Sequence, residues 1–180
     1  MICKESIYMG SQTRTRPWWL QHVMIALSLS VPAISAAAQA NYCSLLSTQE
    51  VAAVLEAPVV LSGDGSAKAL PGTQVRSQDC KYETKETHKK YMDMTVEETP
   101  SPALAATLFK SESQIFGSNL GPQPISGLGD EALLYPASGS LYMREKNLCL
   151  HFRLSGYALS TETRVAVVKK LAARAISQIH

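Results

Sequence analysis

The clearest pattern in this chain is an alternation of apolar and polar side chains that runs through residues 141–145 and resumes over 148–154. Period two over that length marks β-structure with one covered face. A turn at Lys146-Asn147 pairs Leu141 with Phe152, Tyr142 with His151, Met143 with Leu150 and Arg144 with Cys149. In that register the apolar residues meet on one face and the polar ones on the other, so register and core face are set together. The same alternation predicts strands over 79–84, 91–98 and 132–135, the second setting Met92, Met94 and Val96 against Asp93, Thr95 and Glu97.

Helical spacing accounts for three further stretches. Ser47-Thr48-Gln49-Glu50 reads as a capping box, with Val51, Val54 and Leu55 on one face and Pro58 as the stop. Ser101-Pro102 gives an N-cap followed by proline at the first helical position, then Ala105, Leu108, Phe109, Ile115 and Phe116, with Gly117 closing the helix. Ser160 or Thr161 caps a last helix carrying Val165, Val168, Leu171, Ala172, Ala175, Ile176 and Ile179. Residues 61–77, with Gly63-Asp64-Gly65-Ser66 and Pro71-Gly72, read as a surface loop. Lys85 to Lys90 reads as a charged, solvated hairpin tip. The order is α-β-β-α-β-β-β-α, and short turns join antiparallel strands. The expected fold is therefore α+β: a five-stranded antiparallel sheet with three helices packed on its apolar face.

The first 40 residues stand apart. Lys4, Arg14 and Arg16 precede a mostly apolar run from Trp19 to Val31, Pro32 breaks it, and Ala38-Gln39-Ala40 offers a cleavage site. This predicts a signal peptide over 1–40 and one extracytoplasmic α+β domain over 41–180, exported to a periplasmic or secreted location. The run falls short of the ~20 residues a span needs, so no transmembrane span is expected after processing. The leader holds three of the 17 basic and one of the 15 acidic residues, which leaves 14 of each in the remainder. A neutral domain without a basic stripe lacks the electrostatic motive for nucleic-acid binding.

Cys43, Cys80 and Cys149 remain after the leader, and an oxidising compartment allows three pairings. Alternation favours Cys43–Cys80, because Cys80 shares a strand face with Tyr82 whereas Cys149 shares one with His151 and Arg153, away from the core. The polar hairpin face of Tyr142, Arg144, Cys149, His151 and Arg153 is the candidate ligand or partner face. A cation beside a thiol favours the thiolate, and a Cys/His pair is the minimum for nucleophilic catalysis. No orienting third residue accompanies it, no G-x-S-x-G elbow occurs, and a structural zinc site lacks its four ligands. Gly127 and Gly129 precede a strand rather than a helix, so they read as turn glycines and not as a phosphate cradle.

Three short motifs together carry a resemblance: Cys43-Ser44-Leu45-Leu46-Ser47, Cys80-Lys81-Tyr82 and Gly127-Leu128-Gly129-Asp130-Glu131-Ala132. They resemble small exported bacterial proteins of unknown function, among them mycobacterial lipoproteins, and the chain is similar to the extracytoplasmic sensor domain of mycobacterial serine/threonine kinases. The resemblance implies an α+β extracytoplasmic domain with a Cys43–Cys80 disulfide, and it offers no catalytic residues. The chain departs from the lipoprotein members in lacking an acylation site before Cys43. Motifs and resemblance together lead to a non-catalytic binding or interaction module of the cell envelope. It would use no cofactor, and its partner would be an envelope protein, peptide or small ligand. The alternative is a thiol-dependent enzyme or redox-sensitive protein acting through Cys149 and His151.

Overall fold

The computed structural model describes residues 40–63, 65–85, 90–156 and 159–180, with the backbone alone of 116–120. The leader before Ala40, Asp64, the hairpin-tip positions 86–89 and the side chain of Phe116 lie outside the described residues. Ala38–His180 form one compact unit.

The described chain opens with a 3₁₀ turn, Tyr42–Leu45, and helix α1, Thr48–Leu55. Ser47 caps α1 reciprocally with Glu50, and Glu56 ends it in the left-handed conformation. Strands β1 (Val59–Leu61), β2 (Lys68–Ala69), β3 (Arg76–Thr84) and β4 (Lys90–Glu98) follow, then helix α2, Pro102–Leu120. Strands β5 (Gln123–Pro124), β6 (Glu131–Tyr135), β7 (Ser140–Glu145) and β8 (Leu148–Gly156) lead to helix α3, Thr161–Ile179. The β7–β8 pairing is the one the alternation dictates: Leu141 opposite Phe152, Tyr142 opposite His151, Met143 opposite Leu150, Arg144 opposite Cys149.

The sheet is not five-stranded. Eight strands make one antiparallel sheet in the order β1-β3-β4-β8-β7-β6-β5, with β2 also on β3. The five strands foreseen from alternation are its contiguous middle, β3-β4-β8-β7-β6. The additions are two or three residues long and largely exposed, so they carry no alternation to read. They exist because open edges recruit backbone partners: β1 and β2 lie at the two ends of β3, β2 inside the stretch read as loop and β1 running into its start at Leu61. Pro124, which has no N–H to donate, sits on the far edge strand.

The three helices do not share a face either. The 3₁₀ turn, α1 and α3 cover the fully apolar side, where Tyr82, Met92, Met94, Leu141, Met143, Leu150, Phe152 and Leu154 meet Val51, Val168 and Leu171. Helix α2 packs on the opposite side, its Ala105 and Phe109 against Tyr135, Tyr142 and Cys149. It also runs past Gly117 to a left-handed Gly121 and leaves Ile115 70% exposed. The physical reason is that Tyr142, Cys149 and Leu133 put an apolar patch on the face that alternation had marked polar. A helix docked there removes from water area that would otherwise stay wet.

Cys43 and Cys80 form a disulfide across Cα atoms 5.4 Å apart. Tyr82 reinforces it from the same strand, its hydroxyl placed 2.9 Å from the Cys43 carbonyl and 2.7 Å from that of Leu46.

Candidate functional site

The second face of the sheet is a grid set by strand register. One row across it reads Ser77, Glu97, Cys149, Arg144, Glu131; the next reads Asp79, Thr95, His151, Tyr142, Leu133; the third reads Lys81, Asp93, Arg153, Ser140, Tyr135. Helix α2 covers the Cys149–Tyr142 corner and leaves the remainder open. Two adjoining depressions result. One, of about 380 Å³, is lined by Glu112, Tyr135, Ser138, Ser140, Tyr142, Ser155 and Arg164. The other, of about 310 Å³, is lined by Asp79, Lys81, Asp93 and Thr95. His151 and Arg153 line both, so the two depressions adjoin on the sheet, the larger forming a groove beside α2.

The five residues of the candidate face are divided by this arrangement. Tyr142, His151 and Arg153 line the groove, and Tyr142 is clamped from two sides. Its ring stacks on Phe109 with centroids 4.9 Å apart and meets the His151 ring edge-on at 6.0 Å. Its hydroxyl is buried without a partner of good geometry, between the Cys149 thiol and the Glu112 carboxylate. Burial first, then those two neighbours, raise its pKa.

Arg144 and Cys149 lie outside the groove. Gly129, at φ +65°, brings the turn before β6 against the Arg144 carbonyl, which accepts from the Asp130 N–H at 2.9 Å. The Arg144 guanidinium is committed to Asp130 at 2.8 Å and approaches Glu131 at 3.5 Å. Cys149 is 1% exposed, so the reading that its face points away from any core is corrected. Its Sγ faces the Ala105 carbonyl at 3.4 Å, and desolvation pushes the thiol up to about 11. Arg144 is only a minor opposing influence, so the thiolate is suppressed rather than favoured.

The acids of this face are also displaced. Burial, with Glu112 and Asp79 nearby, raises the Glu97 carboxyl to about 7. Burial raises Glu112 and Asp93 as well. His151 is shifted the other way, held neutral by burial and by Arg153. Glu112 and Arg164 come from helices that no pattern on the strands could have joined to the site. Among the described residues, no cluster of three or more His, Cys, Asp or Glu is arranged to hold a metal ion, and no helix is long and apolar enough to cross a membrane.

The geometry defines a class: an α+β domain whose antiparallel sheet carries helices on both faces and a half-covered groove on one. No protein-family profile and no curated protein matches the chain. Among solved structures it is similar to the extracellular domain of PknH from Mycobacterium tuberculosis, at 12% identity and a TM-score of 0.48, over 74% of this chain and 94% of that one. Likeness at that level carries no argument about activity or ligand.

Proposed function

We propose that this protein is a non-catalytic binding module of the cell envelope that takes a small ligand in the groove beside α2. The observation that supports this is the groove itself, a concave site with apolar walls from Tyr135 and Tyr142 and polar groups converging from His151 and Arg153. Export agrees with the Cys43–Cys80 disulfide, since such bonds persist in oxidising compartments. The alternative, thiol chemistry through Cys149 and His151, is disfavoured by a buried, protonated thiol that hydrogen-bonds to helix α2. The test is retention of small molecules from an envelope extract, read by mass spectrometry. Ser155→Trp fills the groove from β8. A species held by the native protein and lost from that variant is the expected result, and identical retention by both overturns the proposal.

A further inference from the structure

The walls of the larger depression carry information about charge as well as shape. Of its ionisable lining residues, Arg153 and Arg164 are cationic, Glu112 is the acid, and His151 is held neutral. Burial raises the Glu112 carboxyl, and two guanidinium groups face that single acid across the lining. Arg153 shares its partner across the strands, Asp93, with Lys81.

Arg164 is the less explained of the two. It sits in the first turn of the 19-residue helix α3, where the helix dipole presents its positive end and disfavours a cation. Glu162, two positions away and so on the other side of the helix, is exposed. Among the described residues the Arg164 Nε is buried with no hydrogen-bond partner, and Nη2 reaches the Thr161 hydroxyl at a long 3.4 Å. The side chain is nevertheless held in place. Gly139, at φ +64°, lets the turn between β6 and β7 close over its stem, where a Cβ would come within 2.7 Å of the Arg164 Cβ. A seated guanidinium with unused donors, beside serine hydroxyls at 138, 140 and 155, is the arrangement that recognises an anionic oxygen group.

We propose that the groove takes a small molecule with a planar apolar body and one anionic group, the body against Tyr135 and Tyr142 and the anion at Arg164. This rests on the groove being the binding site proposed above. The volume of about 380 Å³ suits a small molecule rather than a polymer segment.

Two probes with one shared body test it on the full chain: 1-anilinonaphthalene-8-sulfonate and neutral 1-anilinonaphthalene, titrated by fluorescence with near-ultraviolet circular dichroism confirming the native state. The sulfonate should bind at least tenfold more tightly. Arg164→Met should abolish that preference, and Arg164→Lys should restore part of it by keeping a point charge. Equal binding of the two probes, both blocked by Ser155→Trp, overturns the anionic assignment and leaves the groove as a binding site. Binding of both probes untouched by Ser155→Trp overturns the assignment and the groove together.

Discussion

A single hydroxyl ties the first turn of the described chain to the sheet: Tyr82 has one proton and two carbonyls, of Cys43 and Leu46, within its reach. Tyr82→Phe keeps the ring in the core and leaves those two acceptors without their donor. The expected cost is about 1–3 kcal/mol, the desolvation penalty of an unsatisfied buried group, measured by urea unfolding. Cys149 makes the complementary case. Its thiol is inert because it is buried and protonated, so it should alkylate slowly at neutral pH in the native state and fast in urea. Cys149→Ala should cost about 1 kcal/mol through lost packing under α2. Fast native-state labelling would mean that α2 opens far more often than its contacts imply.

At the scale of elements, α2 and α3 stabilise the sheet from opposite sides by different means. Helix α3 presents a wholly apolar stripe, so Leu171→Asp should unfold the domain by burying an unpaired charge. Glu162→Gln, at an exposed position near its start, should leave the melting temperature almost unchanged. Equal losses of melting temperature for these two variants would refute the packing face. Helix α2 is held by Phe109 on Tyr142 but brings Glu112 toward Glu97, and that couples its docking to pH. The Glu97 carboxyl, ordinarily near 4.5, is raised in the folded state to about 7. A raised acid favours folding while protonated, so its contribution is complete below about 4.5 and is lost as pH rises through about 7. Glu112 acts in the same direction. Glu97→Gln cannot ionise, so its melting temperature should gain on the native protein's as pH rises from 4.5 to 8. His151, lowered by burial, has the opposite sign and is common to both proteins, so the difference between them removes it.

At the scale of the whole molecule, the disulfide links the chain's first described turn to β3 and closes a loop of about 38 residues, worth about 4 kcal/mol on the chain-entropy argument. Cys43→Ser and Cys80→Ser should destabilise alike, by about 2–5 kcal/mol. The double variant should be no worse than either single one, because both remove the same bond. Additive losses, measured by denaturant unfolding without reductant, would show that each cysteine contributes independently. The leader is testable at this scale too. Intact mass of protein recovered from an envelope fraction should begin at Asn41, and a chain still carrying Trp18 and Trp19 contradicts cleavage.

The sequence by itself determined whatever depends on neighbours along the chain. Alternation from Leu141 to Leu154 settled the β7–β8 register, because a slip of one residue would turn Leu150 and Phe152 into water. Ser47 with Glu50, and Ser101 with Pro102, located the starts of α1 and α2, because a cap is a local hydrogen-bonding solution. Only the tertiary structure decided what depends on residues far apart. The edge strands β1, β2 and β5 bury little apolar area, and the backbone donors and acceptors of β3 and β6 define them. The side on which α2 lies was settled by Tyr142, Cys149 and Leu133, which sit singly on three separate strands and become an apolar patch only when the sheet aligns them. The same docking buried the thiol that the sequence had placed in the open. It also brought Glu112 toward Tyr142 and Glu97, and the seating of α3 added Arg164 to the groove. Hydrophobic burial has no direction along the chain, so the face that keeps its water is decided only when every element is in place.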